Sequence, residues 1–224
     1  MRKFLFSLIF ILIFLNLYLI FSPLFFVKHL KINDLSDLSK EEILKLSSSI
    51  YGKNIFTLRI SKIKRELLNH SFIESVFIKK IYPDKIEIQI KKREPVARVG
   101  IFLVDEKGVL FKKKVKNMYL PKITGSSLKE KDRLRRIVKI LKILSYTNFS
   151  KFLSCAEIKK KNLILYFKNF KVYLAEENPF SEIEKLLIIL NHLNSLGKYN
   201  QIDLIDLRFK NLGVVRLKGG ETFG

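Results

Sequence analysis

The most regular hydrophobic pattern in the chain is an apolar run that covers residues 4–26. It contains no charged residue, and Ser7, Asn16, Tyr18 and Ser22 are its only mild interruptions. As a helix it would be about 34 Å long, slightly more than the roughly 30 Å hydrocarbon core of a bilayer. Because a helix satisfies its own backbone hydrogen bonds, lipid can surround it. The run therefore predicts a single membrane-spanning helix, with these anchor residues: Phe4, Phe10, Leu15, Leu19 and Phe26.

A cleaved signal peptide is the alternative interpretation of this run. Signal peptides have a shorter apolar core, of about 7–15 residues, followed by a cleavage site of small residues. The run is longer than that, and the first alanine in the chain is Ala97. The run also lacks the polar face of a helix that packs on a soluble core. A retained anchor is therefore favoured.

Residues 27–92 contain two predicted helices. Ser39 is followed three residues later by Glu42, the spacing of a capping box, and apolar residues then recur with helical periodicity. Gly52 is placed to end this first helix in a left-handed conformation. A second amphipathic pattern covers residues 60–69.

Strand patterns surround these helices. Residues 27–32 form a short candidate strand, and residues 72–82 are rich in β-branched and aromatic side chains. Isoleucine alternates with polar residues over 85–92, which predicts a half-buried strand after a Tyr82–Lys85 turn, and Pro95 is expected to end it. The order strand, helix, helix, strand, strand resembles a POTRA domain.

The remainder of the chain predicts a mixed β region with two amphipathic helices. The first helix, over about 128–146, has a basic side made of Arg133, Arg136, Lys139 and Lys142, which is expected to be a solvated surface. The second begins at Asn178-Pro179 and ends at Gly197. The predicted strands cover residues 101–104, 109–111, 156–160, 163–167, 171–174, 202–209 and 213–217.

Five short phrases occur in the same order as in a known family. They are Ile78–Pro83 leading to Ile86-Glu87-Ile88, Arg93-Glu94-Pro95-Val96-Ala97, Val104-Asp105 with Gly108 and Phe111, Leu120–Gly125, and Ile202–Phe209 with Gly213–Leu217. Together they resemble the FtsQ/DivIB family of bacterial cell-division proteins. The resemblance implies an α+β fold with an N-terminal transmembrane helix, a POTRA domain and a mixed β-sheet domain. The expected extents are a cytoplasmic tail 1–3, the helix 4–26, the POTRA domain 27–97, the β domain 98–218 and a tail 219–224.

The resemblance also implies a function. FtsQ/DivIB proteins are non-enzymatic, single-pass scaffolds of the divisome, at the septum in the cytoplasmic (inner) membrane, with a short cytoplasmic N-terminus and an extracytoplasmic domain. They bind FtsB/DivIC-like and FtsL-like membrane proteins. Carried over by position, the partner-binding residues are Arg208, Phe209, Val214, Val215 and Leu217. Strand 214–218 is expected to be an open sheet edge that a partner strand can extend, whereas Phe209 and Val215 could equally be core residues.

Composition and charge leave other partners open. The net charge of +22 would suit nucleic acid, an anionic membrane or an acidic protein. Lysine is abundant along the whole chain, however, which indicates a compositional bias and predicts no nucleic-acid partner. A membrane-tethered nucleic-acid binder remains an alternative, as does POTRA-type binding of secreted or outer-membrane polypeptides along the strand 85–92. Cys155, the only cysteine, cannot form an internal disulfide.

No catalytic, cofactor or metal site is predicted. His29, His70 and His192 lie in unrelated contexts without ligand spacing. Asp203 and Asp206 are three residues apart on a predicted strand, so they are expected to face opposite sides of the sheet. The sequence therefore predicts a binding protein with no small-molecule substrate.

Overall fold

The computed structural model describes residues 2–34, 36–113, 118–125, 131–159, 162–175, 179–209 and 212–223. The chain divides into two compact units, Met1–Arg93 and Glu94–Gly224. The predicted α+β class is confirmed: an apolar helix and a β-α-α-β-β unit precede a larger mixed sheet with two long helices. The division lies a few residues before the predicted boundary at residue 97.

The apolar run forms helix α1, Arg2–Phe21, which is about 30 Å long at roughly 1.5 Å per residue. Its apolar side chains are exposed except for the half-buried Leu19, so the described part of the chain leaves most of this helix surface uncovered. The helix ends five residues before the predicted end because Pro23 disfavours a helical conformation at Ser22, which is extended. A 3-10 helix, Pro23–Phe25, follows, and Phe26 makes a β-bridge with Asn54. Phe26, predicted as an anchor residue, is therefore not part of the helix.

The first unit continues with the predicted order of elements. These are β1 (His29–Ile32), α2 (Lys40–Ile50), α3 (Ile60–Leu68), β2 (Ile73–Ile81) and β3 (Lys85–Lys92). Ser39 caps α2 with both hydrogen bonds of the capping box, and Gly52 follows the helix with φ +69°. The sheet order is β1-β3-β2, with β1 parallel and β2 antiparallel to β3.

The core of the first unit lies between β3 and the two helices. Alternate residues of β3 point into it, and they pack with apolar side chains of α2 and α3; the buried members include Ile86, Ile88, Ile90, Leu46, Ile50, Ile63 and Leu67. Because β3 is paired on both sides, a client chain could contact residues 85–92 through side chains but could not add a strand there. The long edge strand is β2.

The second unit is built on one ten-stranded sheet. Its elements are β4 (Pro95–Val99), β5 (Phe102–Asp105), β6 (Leu110–Phe111), β7 (Lys122–Gly125), α4 (Lys131–Ser145), β8 (Leu153–Lys159), β9 (Asn162–Phe167), β10 (Lys171–Ala175), α5 (Pro179–Ser195), β11 (Ile202–Asp206), β12 (Val214–Leu217) and β13 (Thr222–Phe223). The strand order is β13-β12-β11-β10-β9-β8-β7-β4-β5-β6. Pro95, which was expected to end the strand before it, is also the first residue of β4.

Helices α4 and α5 share one core with the sheet. The predicted apolar stripe of α4 is buried, together with Ile140. Arg133, predicted to face solvent, is also buried because it lies four residues before Ile137, on the same face of the helix. Several predicted details lie outside the described residues: the helix start at Leu128, the Asn178 cap, the strand end at Lys160 and the turn residues Lys210 and Asn211.

Candidate protein-binding surface

Strand β12 is not the margin of the sheet, contrary to expectation. It pairs with β11 on one side, and on the other β13 pairs with Val215 and Arg216. The Leu217 N–H also donates to the Glu221 carbonyl at 2.9 Å, beside the turn into β13. Residues 222–223, expected to be part of a tail, therefore form a two-residue strand that covers part of the β12 edge.

The predicted partner-binding residues of β12 differ in burial. Val215 and Leu217 are 6% and 3% exposed and belong to the core shared with the helices. Val214 is half-buried and Arg216 is exposed, as strand alternation requires. Core packing is therefore the correct interpretation of the Val215 side chain, and Val215 and Leu217 could contribute to a partner contact only through their backbones.

Arg208 is exposed but held in place. Its Nε lies 2.9 Å from an Asp206 carboxylate oxygen, and its Nη2 bonds the other oxygen. Its guanidinium carbon lies 4.9 Å from the centre of the Tyr173 ring. Burial alone would raise the pKa of Asp206, but the Arg208 side chain and N–H lower it below its ordinary value. The pair thus presents an oriented guanidinium to solvent.

Phe209 is 51% exposed, so core packing does not explain it. It lies in the connection between β11 and β12 with Leu212, which is equally exposed and whose N–H donates to the Phe209 carbonyl at 3.4 Å. This connection leads into Val214, the end of β12 that the described residues of β13 do not reach. An exposed apolar pair therefore lies beside the end of β12 that the described residues of β13 do not reach.

A β-bulge in β11 brings Asp203 and Asp206 to the same face, contrary to the prediction. The register shifts between Ile202 and Leu204, so that Ile202 and Ile205 are both fully buried and both aspartates face away from the helices. They line one groove of about 670 Å³. Each carboxylate is nevertheless paired with its own arginine, Asp203 with Arg216 at 2.7 Å, so the two do not form a paired acid and base.

Tyrosines extend this groove across β10 and β9. The Tyr166 hydroxyl donates to Glu157, which raises the pKa of Tyr166 to about 12, and the Lys171 ammonium lies 5.6 Å from the Tyr166 ring centre. Tyrosine and arginine are the residue types that protein interfaces favour. Tyr166 and Tyr173 were not among the predicted site residues, although both lie at outward positions of predicted strands.

The histidines have separate surroundings in the structure. His29 lies 3.9 Å from Asp84, His70 lies 3.5 Å from Glu42, and His192 is exposed on α5. Within the described ranges, no group of three or more His, Cys, Asp or Glu could hold a metal ion. The surface formed by the β11–β13 margin and its groove is suited to contact with another polypeptide.

Comparison with known proteins gives matches along most of the chain. A family model for an FtsQ-type POTRA domain matches residues 25–93, and a model for the C-terminal part of the cell division protein FtsQ/DivIB matches residues 97–208. The cell division protein DivIB of Clostridium acetobutylicum is 28% identical over 212 residues, covering 88% of this chain and 84% of that protein. The cell division protein FtsQ of Syntrophotalea carbinolica is 26% identical over 221 residues, covering 91% and 78%.

Proposed function

This chain belongs to the FtsQ/DivIB family of cell-division proteins, and on that premise we propose that it recruits an FtsB/DivIC-like protein, in complex with an FtsL-like protein, to the division site. The family is non-enzymatic, so the chain acts by binding. Its N-terminal helix is long and apolar enough to cross a membrane, which suggests membrane anchoring. The binding surface of the proposal is the β12 edge with Arg208 and Phe209.

The observation that carries this proposal is that β13, the strand paired with the outer edge of β12, is shorter than β12. Strand β13 has two residues, both exposed, whereas β12 has four. A partner strand could replace β13 and pair along all of β12, where backbone N–H and C=O groups give affinity. Phe209 and Leu212, exposed beside the Val214 end, would supply the apolar contact that an added strand needs.

Burial decides how this proposal is tested. Deletion of residues 214–224 would remove Val215 and Leu217 from the core, so a loss of binding would not distinguish strand addition from unfolding. Removal of residues 219–224 alone leaves β12 in place. We expect this truncation to keep or increase affinity for the FtsB-like partner, because the competing strand is absent.

The side-chain contribution is tested by Phe209→Ala in the full-length chain. We expect about a tenfold loss of affinity, or roughly 1.4 kcal/mol, without a change in fold. Phe180→Ala is the matched control, because Phe180 is 43% exposed but lies on α5. Unchanged affinity for Phe209→Ala, together with a loss on removing residues 219–224, would contradict the proposal that the partner replaces β13.

The proposed location is the cytoplasmic membrane at the septum, with the short N-terminus in the cytoplasm and both folded units outside it. Protease added to intact spheroplasts should then degrade both units. Degradation only after lysis would place the units in the cytoplasm, and would also reopen a nucleic-acid function.

A second candidate function is the binding of secreted polypeptides by the first unit. It is favoured by the nine-residue β2, an edge strand of its sheet that carries the exposed Phe77. A photo-crosslinking residue at position 77 should then capture translocated chains, whereas one at Leu44, exposed on α2, should not. Equal labelling at both positions would argue against it.

A further inference from the structure

Four aromatic rings form a continuous series where α1 joins the first unit. Tyr18 of α1 contacts Phe25 edge to face, with ring centres 6.4 Å apart. Phe25 contacts Phe56 at 5.0 Å, and Phe56 stacks on Tyr82 at 5.1 Å. We call these four residues the junction cluster. It connects the helix, the α2–α3 connection and the β2–β3 turn.

The junction cluster is open to its surroundings. Phe56 is 40% exposed and Tyr82 57%, and Leu24 of the adjoining 3-10 helix is half exposed. Contiguous exposed apolar surface on a folded unit marks a contact site. Here the surface is continuous with α1, whose apolar side chains are exposed along most of its length.

Hydrogen bonds to backbone carbonyls fix the position of the junction cluster relative to the end of α1. The buried Asn54 side chain donates to the carbonyls of Leu19 and Ile20 at 2.7 and 2.9 Å, which satisfies acceptors that a helix end leaves free. The Ile55 N–H donates to the Phe25 carbonyl at 2.8 Å. Tyr18 precedes the last helical residue by three positions, or about 4.5 Å of rise. If α1 spans the bilayer, the cluster lies at the membrane–water boundary.

We propose that the junction cluster is a second membrane contact, which inserts into the lipid interface and holds the first unit against the bilayer surface. This inference depends on the proposed membrane-spanning role of α1. Tyrosine rings favour the interface because they combine an apolar ring with a polar hydroxyl. Lys28 and Lys53 are exposed, and their backbones are hydrogen-bonded to Asp84 and Val27 at the same junction. They place positive charge where anionic lipid headgroups would lie.

Tryptophan fluorescence can measure this contact, because the chain contains no tryptophan. Three single-tryptophan variants of the full-length chain are compared: Tyr82→Trp in the cluster, Phe10→Trp within α1, and Phe77→Trp as a control. Phe77 is as exposed as Tyr82 but lies five residues away along β2, or about 16 Å. Each variant is reconstituted in vesicles of phosphatidylethanolamine and phosphatidylglycerol that carry bromine either near the headgroup or near the chain centre.

We expect shallow bromine to quench the tryptophan at position 82 at least twofold more than deep bromine does. The tryptophan at position 10 should show the reverse, and the one at position 77 should be quenched by neither. Phe56→Trp repeats the measurement at a second position of the cluster, in case Tyr82→Trp disturbs folding.

Two results would overturn the inference, and they can be distinguished by the quenching at position 10. Quenching at positions 82 and 56 no greater than at position 77, with position 10 quenched by deep bromine, would show that α1 spans but that solvent or another protein covers the cluster. Absence of quenching at position 10 would show that α1 does not span, and would remove the proposed anchoring as well.

Discussion

Glu182 is a buried carboxyl in the first turn of α5, with 7% of its surface exposed. Its carboxylate accepts a hydrogen bond from the Ala175 N–H at 2.7 Å, which joins the helix start to the end of β10. Burial raises the pKa of Glu182 to about 7, although this hydrogen bond acts in the opposite direction. Because the folded state holds the proton more tightly than the unfolded state does, Glu182 stabilises the fold most below its ordinary pKa of 4.5.

The free energy of unfolding should therefore fall as the pH rises from about 4.5 to about 7. Glu182→Gln keeps an acceptor for the Ala175 N–H but has no charge to bury. We expect it to remove this pH dependence and to stabilise the fold by about 1–3 kcal/mol near neutral pH and above. Urea unfolding of the full-length chain in detergent, followed across this pH range, measures the effect. Glu184→Gln, at an exposed position of the same helix, is the control, and an unchanged slope for Glu182→Gln would refute the assignment.

Tyr199 is a buried residue whose hydroxyl has no hydrogen-bond partner among the described residues. Its ring stacks on Phe149 with centres 5.5 Å apart and also contacts Phe152 and Phe170. Tyr199→Phe keeps these contacts and removes a hydroxyl that was desolvated without compensation. We expect unchanged stability or a gain of about 1 kcal/mol, measured by thermal unfolding. A clear loss would show that a water molecule satisfies the hydroxyl.

At the scale of elements, the capping box of α2 offers a local test. Ser39 accepts a hydrogen bond from the Glu42 N–H at 3.2 Å, and Glu42 accepts one from the Ser39 N–H at 2.7 Å. Ser39→Ala should cost about 1 kcal/mol in the first unit, measured by urea unfolding. Ser48→Ala is the control, because its hydroxyl donates to the Lys45 carbonyl of the same helix and does not cap the helix start. Equal effects of both changes would mean that the cap does not stabilise α2.

The capping box also shows which elements the sequence can predict. Ser39 and Glu42 act within four residues of each other, and the alternation in β3 reports directly which side chains are buried. The short strands β4 and β13 depend on partners that lie outside their own sequence, so local pattern does not reveal them. The absence of β13 from the prediction made β12 the expected margin of the sheet.

The burial of the predicted binding residues could be predicted only in part, for the same reason. Arg208 and Phe209 are exposed where the resemblance placed them, whereas Val215 and Leu217 are core residues. The bulge in β11 changes the alternation of the strand, so counting residues wrongly put Asp203 and Asp206 on opposite faces. The partners of Asp203 and Asp206 come from β12 and from beyond the end of β11, and only the folded sheet specifies them.

The net charge of +22 is a property of the whole chain, and the burial of individual residues does not explain why it is so high. Basic side chains occur in both units, on α2 and α3 as well as on α4. Part of this charge is neutralised locally, as in the pairs Lys31–Glu87 and Lys91–Glu74. A nucleic-acid site would need a concentrated cationic surface, whereas compositional bias would distribute the charge.

Salt dependence of binding to random-sequence duplex DNA separates these two explanations. One variant of the full-length chain replaces exposed cations of α4 by glutamine, and a second replaces the same number of cations spread over both units. The first set is Lys131, Arg136 and Lys139, and the second is Lys45, Lys62 and Lys122.

Each cation that contacts phosphate contributes about 0.9 to the slope of log affinity against log salt. If the charge is distributed, both variants lower the slope by a similar amount, of about 1 or less, because non-specific binding averages over many orientations. A fall of about 2–3 for the α4 variant alone would instead show a localised cationic site, and would favour a nucleic-acid partner over compositional bias.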